Sequence, residues 1–161
     1  MIIEEIKKDL LSYQKEKRPA EVSALRMLIS ALVNKEKDKR ALISEELTEE
    51  ELSCRAKLTD EEIIQVISSE AKKRKDSIES FKSGGREDLA ENEMGELKAI
   101  EKYLPEAMPE EEVRRIVGEV IKEKNISDIK EIGIVMKEAI ARTKGRADGA
   151  IINKIVRESL K

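Results

Sequence analysis

The sequence predicts an all-α protein. Three observations carry this. Apolar residues recur three and four positions apart along almost the whole chain, the period at which a helix presents one face. Glycine and proline are scarce, 7 and 3 among 161 residues, so long uninterrupted helices are permitted. No stretch alternates apolar and polar residues in the manner of a half-buried strand.

The elements follow in order. Ile3, Ile6, Leu10 and Tyr13 share one face of a first helix over about Ile2 to Glu16. Pro19 then suits the first turn of a second helix. Its stripe is Val22, Leu25, Leu28, Ile29 and Leu32, and it fades in the charged run Lys35 to Arg40. Residues 41–57 read as irregular and acidic. Within them Glu46-Leu47-Thr48-Glu49-Glu50-Glu51-Leu52 echoes Lys57-Leu58-Thr59-Asp60-Glu61-Glu62-Ile63. Both copies contain Thr-x-x-Glu, in which the threonine hydroxyl and the glutamate carboxylate satisfy free N–H groups at a helix start. A short helix after Thr48 and a long one after Thr59 are therefore expected.

The long helix runs from about Asp60 to Lys82, with Ile63, Ile67, Ala71, Ile78 and Phe81 inward, and Gly84-Gly85 ends it. A fourth main helix covers about Arg86 to Tyr103, with Leu89, Leu97 and Ile100 inward. Leu104-Pro105 closes it, because the residue before a proline resists helix. That proline divides the chain into residues 1–104 and 105–161. Beyond it, Pro109 opens a helix whose first turn holds Glu110, Glu111 and Glu112, complementing the helix dipole. Its stripe is Val113, Ile116, Val117, Val120 and Ile121. Ser127 reads as the cap of a helix to about Arg142, Gly145 as its terminal turn, and Asp148 as the cap of a last helix carrying Ile151, Ile152, Ile155 and Val156.

Composition excludes whole classes of chemistry. There is no histidine, so the usual general base near neutral pH and the Ser-His and Cys-His pairs are missing. The single cysteine, Cys54, permits neither an intrachain disulfide nor a cysteine metal cluster. Its acidic surroundings disfavour a thiolate. No phosphate-binding loop, dinucleotide fingerprint or nucleophile elbow occurs. No catalytic residue, metal ligand or cofactor is nominated. Met27, Met94, Met108 and Met136 read as core filler. The N-terminus lacks the basic and apolar regions of a signal peptide, and no apolar run is long enough to span a membrane, so a cytoplasmic protein is expected.

Charge is abundant, 42% of residues, but nearly balanced at a net −3. Only local asymmetry can then attract a polyanion. Residues 133–161 hold seven basic groups (Lys137, Arg142, Lys144, Arg146, Lys154, Arg157 and Lys161) against Glu138, Asp148 and Glu158. The densest part, Arg142-Thr143-Lys144-Gly145-Arg146, falls on a tight turn, where basic side chains and a helix start can meet phosphates. A second cluster, Lys72-Lys73-Arg74-Lys75, spreads around a helix and reads as a solvated face. With only 2% aromatics, no platform for stacking bases accompanies either cluster.

Several stretches carry a resemblance. They are Leu25-Arg26-Met27-Leu28; Glu70-Ala71-Lys72-Lys73-Arg74-Lys75-Asp76-Ser77-Ile78 with Phe81; Gly85-Arg86-Glu87-Asp88-Leu89-Ala90; Tyr103-Leu104-Pro105-Glu106; Gly133-Ile134-Val135-Met136; Gly145-Arg146-Ala147-Asp148-Gly149; and Asn153-Lys154-Ile155-Val156. In this order they resemble the GatB/YqeY family over about residues 2–160. The resemblance implies an N-terminal helical part and a three-helix C-terminal part. The latter is similar to the tail of the B subunit of the glutamine-dependent amidotransferase acting on misacylated tRNA, which helps hold the tRNA. Contact with tRNA, or with an aminoacyl-tRNA amidotransferase or synthetase complex, is therefore expected through Arg142, Lys144, Arg146 and Lys154. Gly133 and Gly145 would permit tight helix packing and the turn. The acidic segment 41–57 looks longer than the family pattern. Two other readings stand beside this one: a carbon–nitrogen ligase component with glutamine as amido donor, and a helical adaptor for protein partners.

Overall fold

A computed structural model describes residues 1–43 and 48–160. Among these the protein is all-helical, with eight α-helices and no strand. The chain divides into two compact units, Met1–Leu104 and Pro105–Lys161.

The first unit contains α1 (Ile2–Lys15), α2 (Pro19–Ile43), α3 (Glu49–Arg55), α4 (Asp60–Ser83) and α5 (Glu87–Glu101). Its core gathers Ile6, Leu25, Leu28, Leu32, Ile63, Ile67, Ala71 and Ile100, one stripe from each long helix. Each fully buried leucine or isoleucine contributes about 1.5–3 kcal/mol. Lys17 takes the left-handed conformation (φ 54°), which lets Arg18 N–H donate back to Tyr13 O at 3.0 Å and turns the chain into Pro19. Both threonine capping boxes form: Thr48 accepts from Glu51 N–H and Thr59 from Glu62 N–H, with each glutamate accepting in return. Gly85 (φ 69°) ends α4, where Arg86 N–H donates to Phe81 O at 2.9 Å.

Several expectations are corrected. The second helix does not fade at Lys35–Arg40 but runs to Ile43. Lys39 Nζ donates to Glu62 (2.7 Å) and Lys57 O (3.0 Å), and Arg40 pairs with Glu49, so these charges dock the helix end rather than dissolve it. Residues 41–43 are therefore helical rather than irregular, while the short helix expected after Thr48 is α3, where Cys54 lies exposed. Of this segment Ser44 to Leu47 lie outside the described residues, as does Lys161 at the chain end. Met27 and Met94 are exposed (52% and 39%), not core filler, whereas Met108 and Met136 pack against the core of the second unit.

The largest correction concerns Arg74, which belongs to no solvated face. It is 6% exposed and pairs with Glu93 (3.1 Å) and Glu96 (2.8 Å), tying α4 to α5. Its Nη2 donates to Met27 Sδ at 3.8 Å, and its Nε has no partner among the described residues. A second polar tie joins α1 to the end of α5. Asp9 accepts from Lys102 Nζ and from Tyr103 Oη, and Lys102 also donates to Tyr13 Oη at 2.8 Å. The Lys102 ammonium lies 4.9 and 4.8 Å from the Tyr13 and Tyr103 ring centres, so its charge is met by two π faces as well.

The second unit is a three-helix bundle of α6 (Glu110–Lys124), α7 (Ile132–Thr143) and α8 (Gly149–Ser159). Val113, Val117, Val120, Val135, Ala139, Ile152, Ile155 and Val156 form its core. Ile151 does not join it and is 42% exposed. Ser127 is not the cap before α7. Asp128 takes that role, accepting from Lys130 N–H at 2.9 Å and starting a 3-10 turn at Ile129–Glu131 that leads into the helix. Asp148 caps α8, accepting from Ala150 N–H at 2.8 Å.

Two outcomes follow from the polar ties. Arg74→Ala leaves two half-buried carboxylates facing each other and is expected to cost about 3 kcal/mol in urea unfolding, with Arg74→Lys failing to restore it for want of the guanidinium fork. Full retention of stability in either variant would mean that the pairing does not organise α4 and α5. The hydrogen bond from Lys102 lowers the Asp9 pKa, outweighing burial and aided by Tyr103. A carboxyl lowered on folding stabilises above its unfolded value, about 4, and loses that contribution as pH falls through the folded value. The difference in thermal stability between the native protein and Asp9→Asn should therefore be constant from about pH 7 to 5 and shrink below about pH 4. A difference unchanged at low pH would contradict the assignment.

Candidate functional site

The sequence nominated the basic end of the second unit, and its four cations have different surroundings. Arg142, near the end of α7, is held by Glu123 of α6 on both Nη atoms and by Glu138 one turn back at 3.2 Å. These carboxylates raise its pKa still further, Glu123 foremost. Arg142 thus ties α6 to α7 and presents little uncompensated charge. Arg146 is half-buried and shapes the turn. Its carbonyl accepts from Met108 N–H at 2.7 Å, and its Nε donates to Glu106 O at 3.3 Å. Lys144 and Lys154 are exposed.

The turn between α7 and α8 is built from two consecutive left-handed residues, Lys144 (φ 49°) and Gly145 (φ 75°). A lysine there carries strain that glycine does not. Thr143, 1% exposed, anchors the turn from inside: its hydroxyl donates to Ile140 O, and its carbonyl accepts from Arg146 N–H. Gly133 differs. It lies exposed in the first turn of α7, and a Cβ there would meet nothing within 4 Å, so close packing does not call for glycine at that position.

Two exposed cations outside the nominated four stand on the same helices. Lys137 on α7 makes no ion pair among the described residues, and Arg157 on α8 donates only to Asn153 Oδ1, at 2.8 Å. Helical spacing from the buried positions would have found them: Lys137 lies opposite Val135 and Ala139, and Arg157 faces away from Ile152 and Ile155. The acids of this segment are all engaged. Glu138 pairs with Arg142, Glu158 with Arg114, and Asp148 caps α8. Among exposed side chains, α7, α8 and the turn between them therefore carry Lys137, Lys144, Lys154 and Arg157 beside the apolar Ile134 and Ile151. Cations next to apolar surface suit a backbone-and-shape contact rather than bond-making chemistry.

Among the described residues no group of three or more Cys, Asp or Glu side chains could hold a metal ion. No described helix is long and apolar enough to cross a membrane.

Known proteins share parts of this sequence. An uncharacterized protein of Schizosaccharomyces pombe is 32% identical over 82 residues, covering 49% of this chain and 67% of that protein. A subunit of the glutamyl-tRNA(Gln) amidotransferase of Saccharolobus solfataricus is 32% identical over 114 residues, 66% of this chain but 17% of that subunit. The chain thus spans less than a fifth of the amidotransferase subunit's length. The family model described as Yqey-like protein matches residues 3–160, both helical units together, and the chain belongs to the Yqey-like family.

Proposed function

We propose that this protein is a non-catalytic accessory factor of the cytoplasm that contacts tRNA, alone or within an amidotransferase complex, through the exposed basic faces of α7 and α8. One observation carries the reading. The three acids of residues 133–161 are engaged internally, while Lys137 on α7, Lys144 in the turn after it, and Lys154 and Arg157 on α8 are exposed. Such cations reach phosphates without reading bases, and the affinity they supply comes from counterion release. Likeness to an amidotransferase subunit whose name includes a tRNA supports the choice of polyanion. The same likeness supports association with that enzyme class. The chain matches 17% of that subunit, so contact rather than the whole enzyme's chemistry is the role carried over.

The contact set is accordingly revised. Lys144 and Lys154 are the phosphate-facing residues, joined by Lys137 and Arg157, while Arg142 and Arg146 hold the bundle and its turn in shape.

The test is fluorescence anisotropy of bulk tRNA with the purified chain at two salt concentrations, with duplex DNA as control. The native protein should bind tRNA with a Kd on the order of micromolar and weaken as salt rises. The double variant Lys144→Glu, Lys154→Glu should bind at least about tenfold more weakly, with a salt dependence reduced by roughly 1–2 in log–log slope. Arg142→Gln should instead lower thermal stability and leave the salt slope nearly unchanged. Equal binding of tRNA and duplex DNA, or no loss in the double variant, would refute the reading.

A further inference from the structure

The first unit holds an open groove of about 650 Å³ between α2 and α4, and none of the residues assigned to RNA contact lines it. Met27, Ala31 and Val66 contribute its apolar surface, and Met27 is 52% exposed on the side of α2 turned away from the buried Leu25. Small side chains, Ser30 and Ser69, stand midway along each wall. The lining on α2 runs from Arg26 to Asp38, which at 1.5 Å per residue is about 18 Å, or three turns of a facing helix.

The charges in the groove are patterned. Lys73 is matched by Glu70 on its own helix at 2.7 Å. Arg26 and Lys35 are exposed and make no ion pair among the described residues. They stand nine positions apart on α2, a separation of about 13.5 Å along its axis. Asp38 follows one turn later, also exposed and unmatched among the described residues. The order along the wall is therefore positive, positive, negative.

We propose that this groove docks an amphipathic helix of a protein partner, about three turns long. Its apolar residues lie over Met27 and Val66, and its acidic residues face Arg26 and Lys35. The inference goes beyond RNA contact and does not depend on it. A nucleic-acid strand fits this groove poorly, because its uniform negative charge would meet Asp38 and leave the apolar surface unused. A helix accommodates the mixed signs and uses the apolar surface, in the manner of helix-in-groove recognition. Methionine suits such a surface because its flexible thioether adapts to the side chains it meets. Asp38, beyond the two cations at one end, disfavours a third carboxylate on the partner at that end.

The experiment uses the full chain with methyl-labelled methionines, the Met27 resonance being assigned through Met27→Leu. The probe is a synthetic three-turn amphipathic peptide with leucine anchors at i, i+3 or i+4 and i+7, flanked by glutamates. A second peptide carries lysines in place of the glutamates. The expected result is a saturable shift of the Met27 methyl with the glutamate peptide and at least about tenfold weaker binding of the lysine peptide. On the variant Arg26→Glu, Lys35→Glu this preference should reverse, and both substituted positions are exposed, so the fold is retained. Absence of binding, equal binding of the two peptides, or shifts at Met108 and Met136 instead of Met27 would overturn the proposal. So would a saturable shift of Met27 by bulk tRNA, which would make the groove a nucleic-acid surface.

Discussion

Arg74 carries a full positive charge at a position where 6% of its surface reaches water. A charge so placed is tolerable only when opposite charges meet it at close range, because burial without partners costs several kcal/mol. Glu93 and Glu96 meet it from α5, one turn apart on the same face, so the guanidinium fixes which face of α5 turns toward α4 and in which register. The apolar positions alone would not fix it: Ile63, Ile67 and Ala71 are interchangeable hydrophobes, and several rotations of α5 could cover them. The third contact of Arg74, to Met27 Sδ, reaches α2 and links the ion pairs to the wall of the groove. The first unit is thus organised by a polar centre embedded in an aliphatic core, as a chain with few aromatic residues requires.

Helices and their ends were legible because their signals are local. The doubled Thr-x-x-Glu pattern announced both capping boxes, Pro19 the start of α2, Gly85 the end of α4 and Asp148 the cap of α8. What the sequence hid was nonlocal. Lys72-Lys73-Arg74-Lys75 reads as one solvated cluster, yet its members part company in space. Lys73 pairs with Glu70 and Lys75 with Glu101, while Arg74 turns inward to carboxylates 19 and 22 positions away. The same blindness explains Arg142. Its (i, i+4) partner Glu138 could be read from spacing, but the carboxylate that neutralises it more strongly, Glu123, lies on α6. Ser127 lost the cap to Asp128 over a single position, where residue preference alone does not decide.

The basic end therefore divides by surroundings. Two of the three arginines, with their planar forks, went to the internal ties: Arg142 bridges two helices and Arg146 pins the turn to residues 106–108, while Arg157 stays exposed. Lysine, a compact and strongly hydrated charge, was left on the outside at Lys137, Lys144 and Lys154. This division matches the physics of the two side chains, since bidentate geometry rewards a fixed partner and a mobile ammonium suits a shifting one. A surface of exposed lysines and one arginine would bind through summed charge, which tolerates variation in the contacted phosphates and gives little selectivity by itself.

The two proposed surfaces differ in a way that separates them in solution. Contact through α7 and α8 would rest on counterions displaced from the RNA phosphates by these side chains, so its affinity would fall steeply as salt rises. Docking in the groove between α2 and α4 rests on apolar burial, with Arg26 and Lys35 choosing among partners, and screening removes only that second part. Moderate salt should thus release RNA from the second unit while a helix remains seated on the first. The apolar surface of Met27 and Val66 explains the difference: burying it against a partner depends on area, and ionic strength acts on it weakly beside its effect on charge.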